Sequence, residues 1–114
     1  MSYPDGMPIE IDVLSVKSML DGQAEFLLLD CRRTDEYEVA RIDQAKLIPM
    51  DELAERIDEL EAHKDGRVVV HCHHGGRSLM VARWLREQGF GRAQSMAGGI
   101  EAWSVLIDPD CPRY

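Results

Sequence analysis

At 114 residues, 45% hydrophobic and 30% charged, the chain has the size and composition of one globular domain with a single core. Its formal net charge of −8 argues against nucleic acid and membrane surfaces as partners, and repels small anions at long range. Any anion site must therefore be built locally, from backbone N–H groups and a few placed cations. No apolar run reaches the ~18–20 residues of a membrane span. Met1-Ser2-Tyr3-Pro4-Asp5-Gly6 lacks the basic and apolar regions of a signal peptide, so a cytoplasmic location is expected. The three cysteines, Cys31, Cys72 and Cys111, are odd in number and irregularly spaced. That pattern fits a reducing compartment with one functional thiol better than a disulfide framework.

Taken in chain order, Ile9-Glu10-Ile11 alternates like a short strand, and Asp12 is placed to cap a helix from Val13 to about Leu20, stopped by Asp21-Gly22. Phe26 to Leu29 is a continuous apolar run ending in Asp30, as expected of a strand covered on both faces. Thr34 is the expected cap of a short helix, Asp35 to about Ala40, with Asp35 and Glu36 suiting its positive end. Lys46 to Pro49 reads as a brief strand. A helix from Asp51 to about Ala62 follows, with Leu53, Ile57 and Leu60 on one face and its many charges in solvent.

Val68 to His71 is a buried strand. From Ser78 to Gln88 the apolar residues Val81, Trp84 and Leu85, joined by Met80, give a helix with one buried stripe, stopped at Gly89. Ala93 to Met96 is the last strand, before Gly98-Gly99 and a short segment carrying Trp103. Trp84 and Trp103 are the expected core anchors, and the tail carries two prolines and no periodicity. Strands alternating with helices at short spacing predict an α/β domain with a mostly parallel sheet and helices on both faces. Ligands in such folds sit beyond the carboxyl ends of the strands, where Asp30 and His71-Cys72 both fall.

Chemistry concentrates in His71-Cys72-His73-His74-Gly75-Gly76-Arg77-Ser78. A β-branched run, two glycines and a helical pattern mark a strand-to-helix turn. A thiol there faces unpaired backbone N–H groups and the positive end of a helix dipole, the setting of a thiolate nucleophile. Gly75 and Gly76 permit angles that aim successive N–H groups inward. Arg77 is a cation in the first turn of a helix, where the dipole opposes it. It is expected to answer a negative charge, either a bound anion or a carboxylate such as Asp30.

His71 to His74 also packs four possible metal ligands together, but contiguous residues at a strand end project in opposing directions and no second ligand pair exists. His73 and His74 are read instead as lining the pocket mouth, His71 as a strand residue with its ring hydrogen-bonded, Cys31 as a small buried residue, and Cys111 as incidental.

The chain as a whole resembles a single-domain rhodanese. Cys72 to Ser78 matches that family's active loop, C-x-x-G-x-R-S, and Leu28-Leu29-Asp30-Cys31-Arg32 resembles its L-L-D-V-R strand end, with cysteine in place of valine. Ala40 to Ala45 is a loose counterpart of G-H-I-P-G-A, Leu47-Ile48-Pro49 follows as N-I-P does, and Ala97 to Trp103 resembles the closing A-G-G-x-x-A-W. The resemblance implies one three-layer domain over residues 1–114, with a five-stranded parallel sheet, a core over about 9–106 and an irregular tail over 107–114.

It further implies sulfur transfer through a persulfide on Cys72. A small anionic donor such as thiosulfate and an acceptor that is cyanide, a thiol or a protein are expected, without metal or organic cofactor. His73, His74, Gly75, Gly76, Arg77 and Ser78 would form the substrate-binding loop. Asp30, the candidate anchor of Arg77, and Arg32 would support it. Two alternatives stand beside this: a persulfide carrier serving a partner protein, and a cysteine phosphatase or arsenate reductase, which use H-C-x5-R. Only His73 to Gly76 lie between Cys72 and Arg77. That is one residue fewer than the phosphatase loop, and a ring better sized for one sulfur than for a tetrahedral oxyanion.

Overall fold

The computed structural model describes residues 7–114; the opening hexapeptide, read above for targeting signals, lies outside them. In chain order the elements are β1 (Glu10–Ile11), α1 (Val13–Asp21), β2 (Leu27–Asp30), α2 (Thr34–Val39), β3 (Lys46–Leu47), two 3-10 segments (Met50–Glu52 and Ile57–His63), β4 (Val68–His71), α3 (Gly76–Glu87), β5 (Ala93–Met96) and α4 (Gly99–Leu106). The strands form one five-stranded sheet in the order β1-β5-β4-β2-β3, and every pairing is parallel. The expected α/β architecture is observed.

Strand alternation divides the core into two layers. Leu29 and Cys31, with Val68, Val70 and Cys72, face Val81, Ala82 and Leu85 of α3 and Leu53 and Leu60 of the 3-10 region. Leu28 and Val69 face the other way, onto Val13 and Val16 of α1 and Ile100 and Trp103 of α4. The sheet is thus covered on both sides, which is why the β2 and β4 sequences are apolar runs rather than alternating ones. Asp12 caps α1 as expected, accepting from Ser15 N–H at 2.9 Å. Gly89, at φ +100°, ends α3 in the left-handed conformation that glycine adopts without penalty. Among the described residues no helix is long and apolar enough to cross a membrane.

Local expectations fail in five places. The helix expected over Asp51–Ala62 is broken into 3-10 turns, with Arg56 off helical geometry at φ −112°, ψ 15°. Acidic residues four apart, Asp51 with Glu55 and Glu55 with Glu59, oppose a continuous α-helix. The tighter period still delivers Leu53 and Leu60 to the core. The cap of α2 is Arg33 rather than Thr34; the Arg33 N–H donates back to Glu36 Oε1 at 3.2 Å. Met80 does not join the buried stripe of α3. It is 60% exposed and, with half-buried Trp84, lines an apolar groove of about 300 Å³ with Met50, Leu53 and Ala54. Cys111 is buried against the α1–α4 layer rather than incidental, so the tail folds back on the domain. Lastly, the His71 ring is buried without a hydrogen-bond partner: Nε2 stands 3.7 Å from Asp30 Oδ2, and burial pushes its pKa down, leaving it neutral.

Candidate active site

The central strand β4 carries the chain to the carboxyl edge of the sheet and releases it at Cys72, whose side chain is buried. Gly75, at φ +111°, then reverses the loop into α3, a conformation that an L side chain rarely adopts. The turn brings two amides onto one sulfur: Cys72 Sγ accepts from Gly75 N–H at 3.1 Å and from Ser78 N–H at 3.3 Å. Ser78 Oγ lies 3.4 Å from the same sulfur and 2.7 Å from Ser95 Oγ on β5. Of the amides expected from His73 to Ser78, these two reach Sγ. Gly76 does not take a positive φ, so its expected role in aiming the nest falls to Gly75 alone.

The loop is also held from behind. The first turn of α4 donates Ile100 N–H to the Cys72 carbonyl at 2.9 Å and Glu101 N–H to the His73 carbonyl at 3.1 Å. Such an approach requires glycine at position 99: its φ is +59°, and a Cβ there would collide with the carbonyls of Cys72 and His73. The Gly98-Gly99 pair is therefore part of the thiol loop's scaffold, although it lies more than twenty residues further along the chain.

Arg77 does answer a carboxylate, but the partner is Glu36 and not Asp30. Nη1 donates to Glu36 Oε1 at 2.6 Å and Nη2 to Oε2 at 2.9 Å, a bidentate pair. Asp30 is engaged by Arg32, whose Nε and Nη2 reach its two oxygens at 2.9 and 2.7 Å. Arg32 also donates to the Ala40 carbonyl at 2.7 Å, so Asp30 and Arg32 form a buried clamp tying the end of α2 to β2. The short Asp30–Arg32 separation completes that pair locally and leaves nothing for Arg77. The Arg77 guanidinium holds the Glu36 carboxyl below the usual carboxylate range, and Glu36 in turn raises Arg77.

His73 and His74 lie at the mouth, with their rings stacked at 3.9 Å, and His73 stacks again on Tyr114 at 3.8 Å. Burial and the neighbouring His74 push the His73 pKa down, so its ring adds no charge near neutral pH. Cys31 is a buried thiol that hydrogen-bonds the His71 carbonyl at 3.5 Å; burial, reinforced by Cys72, pushes it up. Among the described residues no group of three or more His, Cys, Asp or Glu side chains is assembled to hold a metal.

The class these features define is a parallel α/β protein with a buried thiol in an amide-lined strand-to-helix turn at the end of its central strand. Residues 12–106 match the model of the rhodanese-like domain, and the chain belongs to that family. A sulfurtransferase of Allochromatium vinosum is 36% identical over 95 residues, covering 83% of this chain and 87% of that protein. The adenylyltransferase and sulfurtransferase MOCS3-2 of Zea mays is 35% identical over 103 residues, covering 86% of this chain and 21% of its own length. This chain spans between 21% and 31% of such plant relatives. A rhodanese-like domain protein from Staphylococcus aureus superposes with a TM-score of 0.79 at 26% identity, covering 94% of this chain and 99% of that one.

Glu36, Tyr114 and Ser95 complete the site without having been singled out from the sequence. In the sequence Glu36 shows only as a helix-dipole partner; its sole further signal is an otherwise misplaced Arg77 needing a carboxylate. Tyr114 and Ser95 carry none.

Proposed function

We propose that the chain is one domain acting as a sulfurtransferase that moves a sulfane sulfur from a donor such as thiosulfate to cyanide, a thiol or a protein acceptor through a Cys72 persulfide. The carrying observation is the pair of amides from Gly75 and Ser78 on Cys72 Sγ. Aimed at one sulfur at the start of α3, they favour an anionic form of it. In the first half-reaction the Cys72 thiolate attacks the outer sulfur of thiosulfate. A sulfur–sulfur bond forms to Cys72, the bond to the sulfonate sulfur breaks, and sulfite leaves with its electron pair. The negative charge passes to the terminal persulfide sulfur. The short four-residue span from Cys72 to Arg77 frames it, and the loop amides solvate it in place of water. In the second half-reaction cyanide attacks that terminal sulfur, thiocyanate leaves, and the Cys72 thiolate is restored.

Arg77 is read as holding the loop edge through Glu36, with its remaining N–H groups available to the anionic donor; Asp30 and Arg32 support the loop indirectly, through the position of α2. Intact mass after incubation of the reduced protein with thiosulfate tests the proposal. One added sulfur, removed by cyanide and absent from Cys72→Ser, is expected. No sulfur uptake from thiosulfate or any other sulfane donor would overturn it, and Cys72-dependent hydrolysis of an aryl phosphate would replace it with the phosphatase reading. A persulfide that forms readily but passes poorly to cyanide would shift the acceptor to a partner protein.

A further inference from the structure

We propose that Tyr114 is a positioning residue for this site, fixing Glu36, and through it Arg77, while its ring fixes His73 at the mouth. The inference deepens the sulfur-transfer reading and rests on it for the identity of the donor. The tail expected to be irregular is tied down at three places. Cys111 is buried against the α1–α4 layer. Arg113 pairs with Glu101 at 2.5 Å, and Glu101 is the residue whose N–H holds the His73 carbonyl. Tyr114 then lies directly on the site.

Its hydroxyl accepts from Arg32 Nη1 at 2.9 Å and stands 2.7 Å from Glu36 Oε2. A guanidinium has no acceptor, so the phenol's single proton is committed to Glu36. Burial pushes Tyr114 up to about 12, which keeps that proton in place at neutral pH. Glu36 Oε2 is thereby shared between Tyr114 and Arg77 Nη2, while Oε1 takes Arg77 Nη1 and the Arg33 N–H. The four donors leave the carboxylate one orientation, and Arg77 inherits it. On the other side of the ring, Tyr114 stacks on His73 at 3.8 Å with an interplanar angle of 10°. One side chain thus touches both the arginine's anchor and the residue that follows the thiol. A tail that merely covered the core would need neither the hydroxyl nor the flat stack.

Tyr114→Phe removes the hydroxyl and keeps the stack. Two measurements on the whole chain separate this proposal from the sulfur-transfer reading. The first is the KM and kcat for thiosulfate with cyanide as acceptor. The second needs no sulfur donor: the ratio of Cys72 alkylation rates by iodoacetate and iodoacetamide, which reports the field of Arg77 at the thiol. In Tyr114→Phe the KM is expected to rise about fivefold with kcat within about twofold, and the preference for the anionic reagent to fall by a similar factor. In an Arg77→Ala background the same substitution is expected to change neither, because its route of action is gone. Unchanged KM and alkylation ratio in Tyr114→Phe, or equal changes with and without Arg77, would overturn the proposal. If the wild-type chain takes up no sulfur but the alkylation ratio still shifts only when Arg77 is present, the sulfur reading falls and the positioning role stands.

Discussion

Removing Arg77 strands a charge, and the consequence is measurable in two dimensions. The Glu36 side chain is 6% exposed and that of Arg77 33%. Arg77→Ala deletes both hydrogen bonds of the bidentate pair and leaves the carboxylate with Tyr114 OH, the Arg33 N–H and, at 3.9 Å, the exposed Arg33 guanidinium. Breaking a fully buried pair costs about 3–5 kcal/mol. With the guanidinium one-third in water and two donors remaining, about 2 kcal/mol is expected here, roughly 8 °C in Tm for a domain of this size. Glu36→Gln added to Arg77→Ala removes the stranded charge and is expected to recover about 1 kcal/mol. The pair therefore shows strong non-additivity in a double-mutant cycle by urea unfolding.

The pH dependence has a definite sign. Glu36 is held below its unfolded value by Arg77. Its contribution is therefore present in full above the unfolded carboxylate pKa and is lost as pH falls through the folded one. The stability gap between wild type and Arg77→Ala should be flat from pH 8 to about 5 and narrow below about 4.5. The gap between wild type and the double variant should lack that dependence on the mutant side. An Arg77→Ala variant within about 0.5 kcal/mol of wild type at pH 7, or a double variant equal to the sum of the singles, would refute the reasoning.

Two further outcomes follow from the loop's surroundings. Gly99→Ala drives a Cβ into the Cys72 and His73 carbonyls at φ +59°, so it should cost more than about 2 kcal/mol and slow alkylation of Cys72 more than tenfold; near-normal Tm and alkylation would show that the loop does not need this close approach. Cys31, Cys72 and Cys111 are all buried, but Cys72 accepts two amide N–H bonds that favour its thiolate, whereas burial pushes the Cys31 thiol up and Cys111 packs in the α1–α4 layer. One iodoacetamide label, on Cys72, is therefore expected from the native protein at pH 8, and all three cysteines should label in denaturant; native labelling of Cys31 would show that the two strand ends open readily.

What could be read from the residues alone was what local patterning controls. Val68 to His71 announced a buried strand, Asp12 a cap, Gly89 a stop, and the spacing of Cys72, Gly75 and Arg77 a thiol loop with its size. Side-chain partnership was less legible, for a physical reason in each case. From the sequence Asp30 stands as a candidate carboxylate for Arg77, yet Arg32 reaches Asp30 from two residues away at no cost in chain closure. Asp35 and Glu36 look equivalent in a first helical turn, but one side chain is 70% exposed and the other 6%. Choosing between them requires the face that α2 presents, and a six-residue helix has too few positions to show one. The Asp51–Ala62 pattern suited an α-helix because a 3-10 segment delivers the same leucines inward. Tyr114 lies beyond the last periodic element, and only the folded tail brings it to His73.

These partnerships change where the positive character of the site resides. An acidic chain of net charge −8 was expected to draw on placed cations, with Arg77 and the two loop histidines foremost. In the folded protein Arg77 is matched by Glu36 and Arg32 by Asp30. His73 is shifted toward its neutral form. What faces Cys72 Sγ at hydrogen-bond distance is neutral: two amides at the start of α3, and the Ser78 hydroxyl with Ser95 behind it. Amide dipoles act over a few ångströms and fade beyond the first turn of a helix. They stabilise charge on the one sulfur they face, and attraction of an anionic reagent toward it is left to the oriented Arg77 guanidinium. The ion pairs also serve geometry. Arg77–Glu36 and Arg32–Asp30 fix α2 and the loop against each other, and Tyr114 joins the two pairs through a single hydroxyl.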